Sequence, residues 1–470
     1  MSRQGNLLDK LQTRARVVAN RLSDQHVKLA VTGLSGAGKT AFITSLINQL
    51  MEGASTSSLP FFSVCKQSRF IGAKRAVQPD LRLARFEYEQ AMEMLRGNPP
   101  AWPVPTRGVS QIRLHLRYYP GSGLRKLVSN RSTLILDILD YPGEWLLDLP
   151  LLDMNFAQWT LYCQQQMQGS IRQELSRTLR EQASKLDWLA PGDELQLQKL
   201  AECFRQYLRD CKEAGLELIQ PGRFVLPGEL EGAPILQFIP ALGLPGGFDW
   251  QQVPIGSNLS LAMDRYNQYR DKVIKPFYRA YFRDFDRQIV LVDCLSALNK
   301  GPEAFNELQQ AINWILQSFH YGGNSLIRRL FSPRIDKLVF AASKADHITA
   351  DQQDNLIRLL ESMIHEARQT IHYEGVSIQT TALAAIRASQ SGKADYQGKT
   401  LSVLTGHDKQ GQPLTLYPGD VPVGRPSPAF WSTQGFDFPQ FSPQSSTELS
   451  ALPHIRMDQM LEFLLGDKLR

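Results

Sequence analysis

Apolar residues recur along this chain at two spacings, and their alternation predicts an α/β fold. Val27-Lys28-Leu29-Ala30-Val31 is a short β-type run, followed by a glycine-rich turn and a helical pattern over Ala41 to Leu50. Strand, loop and helix in that order are the first unit of an α/β fold. Ile112, Leu114 and Leu116 alternate with Arg113, His115 and Arg117, the period of a half-buried strand. With a turn at Pro120 to Gly123 and a second strand over Thr133 to Leu139, they predict a hairpin. Further β-type runs occupy Gln288 to Val292, Lys337 to Ala342 and Val376 to Gln379, each followed by a helical pattern. Five of these six strands are expected to be parallel, with the hairpin supplying the antiparallel edge. Residues 51–108 read as polar and irregular apart from a helical stretch near Asp80 to Arg96.

Between Trp145 and Asp286 the rhythm becomes helical, as in Leu200, Cys203, Phe204, Tyr207, Leu208 and Cys211, with proline-rich breaks near Pro221 to Pro254. An inserted all-α domain is expected over 145–285, splitting the α/β core into 1–144 and 286–394. From 395 the chain is proline-rich. Leu401 to Leu404 facing Leu414 to Tyr417 across Asp408-Lys409-Gln410-Gly411 predicts a hairpin, and Met457 to Leu465 a closing helix. A small β-rich C-terminal module, 395–470, follows from this. An amphipathic helix over residues 6 to 22 carries Leu7, Leu8, Leu11, Val17, Val18 and Leu22 on one side. Such a helix packs on its own domain more often than it lies on an anionic bilayer.

Composition narrows the class only a little. Lys+Arg 52 against Asp+Glu 46 leaves +6 over 470 residues, too small a surplus to announce nucleic acid. The five cysteines form no CxxC pair and the eight histidines no paired ligand spacing, so zinc and disulfide frameworks are not expected. A reducing cytoplasm is the expected compartment. No eighteen apolar residues run together and the first residues lack a signal-peptide core, so neither a transmembrane segment nor export is expected. Tyr266, Tyr269, Val273, Phe277, Tyr281 and Phe285 interleave with Arg265, Arg270, Lys272, Lys275, Arg279 and Arg283. Their helical spacing and three nearby aspartates favour a core face with a solvated rim over a nucleic-acid surface.

Gly33-Leu34-Ser35-Gly36-Ala37-Gly38-Lys39-Thr40 fits GxxxxGK[ST] and lies between the first predicted strand and helix. Its glycines allow Gly33, Ser35, Gly36, Ala37, Gly38 and the helix start at Thr40 and Ala41 to turn their amides onto a polyphosphate. Lys39 neutralises the outer phosphates and Thr40 offers a hydroxyl to Mg²⁺. Asp140-Tyr141-Pro142-Gly143 ends a strand as DxxG, the carboxylate for the metal shell and the Gly143 amide for the γ-phosphate. Asp137, on the opposite face of that strand, is a weaker rival for the metal. Ser343-Lys344-Ala345-Asp346 matches the [NT]KxD motif with Ser first. Asp346 can accept together from guanine N1–H and the exocyclic amine, where adenine presents an acceptor; Lys344 would lay its stem over the purine. His347 beside it is a further nucleotide contact or the start of the next helix. Thr381-Ala382-Leu383 resembles the short [ST]A[KL] loop whose amide meets guanine O6, which makes Ala382 and Leu383 candidates. In Trp102-Pro103-Val104-Pro105-Thr106-Arg107-Gly108, Thr106 is the candidate second magnesium hydroxyl, Arg107 a phosphate contact and Trp102 a cover for the base, unless this is only a proline-rich surface loop.

Together the P-loop, DYPGEW, the helical insertion, SKAD and the β-type tail resemble the YcjX-like family of P-loop GTPases over nearly the whole chain. The resemblance implies GTP or GDP with Mg²⁺ as ligands and a cytoplasmic bacterial protein linked to envelope or phage-shock stress. It also implies action beside a membrane protein at the inner membrane. Small signalling GTPases carry a water-orienting Gln after DxxG; here it is Glu144. An ionised carboxylate there cannot donate to the γ-phosphate and its charge opposes the transition state, so slow hydrolysis is expected, with Lys39, Glu144 and Arg107 the candidate catalytic residues. A nucleotide-dependent scaffold without turnover and an ATPase or small-molecule kinase remain as alternatives.

Overall fold

The computed structural model describes residues 25–34, 36–52, 58–121, 130–245, 247–281, 285–318, 335–373, 375–396, 398–433, 440–444 and 451–470. The expected helix over residues 6 to 22, Ser35, and the Ser122–Gly123 end of the expected turn lie outside them. The core is an eight-stranded mixed sheet built from β1 (Gln25–Gly33), β2 (Phe70–Ala76), β3 (Ala84–Arg85), β4 (Ser110–Tyr118), β5 (Ser132–Asp140), β6 (Arg287–Val292), β7 (Lys337–Ala342) and β8 (Ser377–Ala382). Its order is β2-β4-β5-β1-β6-β7-β8, with β3 alongside β4. Strands β5, β1, β6, β7 and β8 are mutually parallel, while β4 is antiparallel to both β5 and β2. Central strands buried on both faces need near-continuous apolar runs, which is why β1, β6 and β7 were legible as such.

Two expectations need correction. Strand β4 is not the edge, because β2 covers it; β2 reads as irregular in sequence because its Lys74 and Arg75 face solvent and its pairing is bulged between Phe70 and Gly72, as edge strands often are. The helical stretch near Asp80 to Arg96 is confined to Tyr88–Arg96, and residues 84–85 form β3 instead.

Helices cover both faces. On one side α1 (Lys39–Glu52) and α2 (Met457–Leu465) bury Phe42, Ile43, Leu46, Met460, Leu461 and Leu464 against the sheet. The closing helix thus lies in the α/β core; buried Arg287 donates to the Leu464 carbonyl and to Asp467. The second antiparallel sheet, β9 (Gln390–Tyr396), β10 (Lys399–His407) and β11 (Pro413–Leu416), contains the expected hairpin, with Leu404 opposite Leu416. No helix among the described residues is long and apolar enough to cross a membrane.

The other face carries the helical segment after β5. Its aromatic centre is Trp159, stacked on Tyr266 with ring centroids 5.2 Å apart and edge-on to Phe238 and Phe204. Tyr266, Tyr269, Phe277 and Phe285 are buried in this core, as their spacing suggested. The core is continuous with Val290, Val292 and Phe340 of the sheet. A buried ion pair strengthens the junction: Arg172 Nε and Nη2 donate to Glu307 at 2.6 and 2.9 Å, while Glu307 also accepts from the amides of Glu217 and Leu218. A bidentate, fully partnered pair of this kind fixes the register of the two elements more than it adds stability.

Residues Gly143–Asp153 form a 3₁₀ segment whose residues Gly143 to Leu152 are nearly all buried. Within it Asp148 accepts from the Tyr269 hydroxyl at 2.5 Å and from the Gly222 amide at 2.7 Å. Burial pushes its pKa up to about 7, those two donors pulling the other way. A folded-state pKa above the unfolded value means stability that is full below about pH 4 and lost as pH rises towards 7. Asp148→Asn should therefore gain on the wild type in thermal melts between pH 5 and 7, by up to about 1.4 kcal/mol per pH unit. The gap should level off at higher pH, and a gap independent of pH would contradict this assignment.

Candidate functional site

Strands β1, β5 and β7 run parallel and end at one edge of the sheet, so the loops that leave them converge. After β1 the chain turns through Gly36 at φ +74° and Gly38 at φ +84°, conformations that only glycine adopts without cost, and enters α1 at Lys39. The Lys39 ammonium folds back to donate to the Gly33 carbonyl at 2.7 Å and reaches the Leu34 carbonyl at 3.5 Å. The loop after β5 lies directly on this turn. A Cβ at Gly143 would overlap the Gly33 carbonyl and press on the Leu34 backbone, so the last glycine of DxxG is required by the approach of two backbones.

Three oxygen groups meet beside Lys39. Thr106 Oγ1 donates to Asp140 Oδ2 and lies 3.3 Å from Thr40 Oγ1. Asp140 is buried, and its Oδ1 has no hydrogen-bond partner among the described residues. Burial pushes its pKa up to about 6, with the Thr106 hydroxyl and the Lys39 charge pulling it down. Two hydroxyls and a buried carboxylate with an orphaned oxygen fit a hard divalent cation. Asp137 is excluded from this group: on the other face of β5 it is held by Arg113 at 2.6 and 2.7 Å and by His26 at 2.8 Å.

The loop after β7 supplies the far end. Lys344 sits in the left-handed region at φ +60° and its ammonium donates to Asp293 Oδ2 at 2.5 Å. Asp346 is buried. Its Oδ2 accepts from the Ala388 amide at 2.8 Å, and Oδ1 lies 3.2 Å from His347 Nδ1. Burial alone would raise its pKa, but His347 and the amide donors outweigh it and hold the carboxyl below its usual range. The group is therefore an ionised acceptor with lone pairs to spare.

These loops enclose one cleft of about 770 Å³. It is lined by Gly36, Ala37, Gly38, Lys39, Thr40, Ala41, Trp102, Thr106, Arg107, Glu144, Lys344, Asp346, His347 and Leu383. Gly33 and Gly143 lie just beneath it, in contact with each other. Asp140 borders an adjoining cavity that shares Thr40 and Thr106 with the cleft. Ala382 is buried outside the cleft, and the Leu383 amide is used by the Ala342 carbonyl; Ala384, Ala385 and Ile386 line the wall there. Trp102 donates its indole N–H to the Phe441 carbonyl at 2.9 Å, and the Phe441 ring stands 5.3 Å from His347. Arg107 is exposed at the rim.

Three cleft residues were not legible in sequence. Phe441 and Gln440 come from the C-terminal segment, about 95 residues beyond SKAD, with no local motif to flag them. Lys212 comes from the helix Glu194–Glu213 of the insertion and donates to Glu144 Oε1 at 2.8 Å inside the cleft. Burial would raise the Glu144 pKa, yet Lys212 and Lys39 hold it below the usual carboxylate range. Glu144 thus does not present the bare negative charge that its place after DxxG suggested, because a cation 68 residues away in sequence is paired with it.

Over residues 27–469 the chain matches the model of the YcjX-like family. It is 47% identical over 472 residues to the Ras-like GTPase YcjX of Escherichia coli K12, covering 98% of this chain and all of that protein. It is 43% identical to the Ras-like GTPase YcjX of Shewanella oneidensis MR-1, over 98% of each.

Because a side chain at 143 must displace the start of the P-loop, Gly143→Ala should destabilise the protein by about 1–3 kcal/mol. Urea unfolding checks this, and an unchanged midpoint would contradict the backbone contact.

Proposed function

The chain belongs to the YcjX-like family, and on that premise we propose that it is a GTP-binding protein that hydrolyses GTP slowly to GDP and phosphate in a magnesium-dependent reaction. The observation that carries the reading is the meeting of the P-loop, Thr40, Thr106 and the buried Asp346 carboxylate around one cleft, with Asp140 bonded to Thr106 from the adjoining cavity. One end of such a cleft suits a polyphosphate and the other a purine with two adjacent donors.

In this reading the amides from Gly36 to Ala41 and the start of α1 bind the phosphate chain. Lys39 leaves the Gly33 carbonyl for the outer phosphates. Thr40, Thr106 and Asp140 would hold the metal ion, which when bound supplies charge neutralisation at the β- and γ-phosphates. Asp346 orients guanine, and Trp102, His347 and the Lys344 stem enclose it. Arg107, exposed on the cleft lining, would approach the γ-phosphate. The Gly143 amide would sense loss of the γ-phosphate, and the buried 3₁₀ segment behind it would pass that change to the helical insertion, as in a nucleotide-dependent switch. Residues 145–285 and 395–470 are then modules that respond to and enclose the nucleotide. The cytoplasmic setting, the stress-linked role and a membrane-protein partner are part of the proposal on the strength of the family resemblance.

Calorimetric titration with GDP, ADP and a non-hydrolysable GTP analogue, with and without Mg²⁺, tests the reading. GDP should bind about a hundredfold or more tighter than ADP, since adenine leaves the Asp346 carboxylate facing an acceptor. Mg²⁺ should tighten the triphosphate analogue. ADP binding equal to or tighter than GDP would overturn the assignment in favour of an ATPase or kinase.

A further inference from the structure

We infer that Lys212 is a positioning residue for the hydrolytic step, holding the Glu144 carboxylate in place at the phosphate end of the cleft. The inference rests on the GTPase reading above and adds to it the part played by the insertion.

Three observations place Lys212 in this role. Its ammonium is 2.8 Å from Glu144 Oε1, and both side chains line the cleft together with Lys39. Glu144 follows Gly143, whose backbone rests on the start of the P-loop, so its carboxylate is at the end where the terminal phosphate belongs. The end of the helix that bears Lys212 is itself fixed to the α/β core. Arg172 donates to the Leu218 carbonyl at 2.9 Å, and Glu307, on the helix Pro302–Ser318, accepts from the amides of Glu217 and Leu218 at 3.0 Å. A surface lysine needs no such anchoring. Here the buried network anchors the chain just beyond the helix, and Arg172 also reaches Tyr207 and Cys211 on the helix itself, next to Lys212.

Three titratable groups among the described residues act on Glu144. Lys212 and Lys39 flank it, and Glu217 faces it from the loop after the helix. Glu217 is pushed by burial, and then by its acidic neighbours, up to about 8. That shift, opposed only in part by Lys300, favours its neutral form.

The chemistry follows. The oxygen of the attacking water forms a bond to the γ-phosphorus. The bond from that phosphorus to the bridging oxygen breaks, its electron pair remaining on the GDP β-phosphate. The water's proton passes to the Glu144 carboxylate and from there to an oxygen of the released phosphate. A buried carboxylate accepts only while ionised and correctly aimed, and Lys212 secures both. The Glu144–Lys212 pair also has no net charge, which removes most of the repulsion that a lone glutamate would exert on the transition state.

The test uses the full chain and two readouts, single-turnover GTP hydrolysis and GDP affinity, for wild type, Lys212→Met, Lys212→Arg, Glu144→Gln and the Lys212→Met/Glu144→Gln double variant. Lys212→Met should slow hydrolysis by about tenfold or more with GDP affinity within about twofold of wild type, and Lys212→Arg should restore most of the rate. In the Glu144→Gln background Lys212→Met should cost little further, since both changes remove one unit. Wild-type hydrolysis with an unaffected Lys212→Met overturns the inference alone. So do a parallel loss of GDP affinity, failure of Lys212→Arg to rescue, or additive losses in the double variant. A wild type that binds GDP but turns over no GTP overturns the GTPase reading and this inference with it.

Discussion

The site depends on a backbone-to-backbone contact between Gly33 and Gly143. Strands β1 and β5 pair in parallel, Ala30 opposite Leu139, and so deliver the P-loop and DxxG to the same edge of the sheet. Glycine at 143 lets the second loop lie on the first. From that contact follow the grouping of Thr40, Thr106 and Asp140, the position of Glu144 in the cleft beside Lys39, and the passage of the chain straight from the cleft into the insertion. A side chain at Gly143 would push the two loops apart.

The insertion is more than an appendage to this arrangement. Its aromatic core merges with one face of the sheet, Arg172 pairs with Glu307 of the α/β core while donating to Tyr207 of the long helix, and Lys212 brings a charge into the cleft. The 3₁₀ segment that begins at Gly143 is buried among these elements. Trp145 is stacked under the Arg223 guanidinium at 3.4 Å and bonded to the Leu226 carbonyl at 2.8 Å. Any displacement of Gly143 must therefore disturb contacts inside the insertion. That is the physical basis for coupling between nucleotide state and the helical region in the proposed function.

Much of the fold was legible because its strands are of two readable kinds. β1, β6 and β7 are buried on both faces and read as apolar runs, while β4 alternates because one of its faces is less buried. β2 was missed because an edge strand with Lys74 and Arg75 outward carries little periodic signal. The cleft was legible wherever function imposes a contiguous pattern: the P-loop, DxxG and SKAD residues lie in or beside it. Lys212 and Phe441 were not, because each acts through a contact with a residue far away in sequence, Glu144 for one and Trp102 for the other. The same limit explains why the bare-charge reading of Glu144 failed: its local sequence holds no cation, and the one that pairs with it arrives through tertiary structure.

The central claim is that Asp346 selects the purine ring. Its carboxylate is buried, ionised and held by Ala388 and His347, and in the proposed function its free lone pairs would match the paired N–H donors of guanine. Replacing one carboxylate oxygen with an amide N–H inverts that match at one position, where xanthine carries a carbonyl in place of the exocyclic amine. Measured by calorimetry, Asp346→Asn should lose about a hundredfold or more in affinity for GDP and gain in affinity for xanthosine diphosphate. GDP bound as tightly by the variant as by the wild type, with no gain for the xanthine nucleotide, would contradict the account.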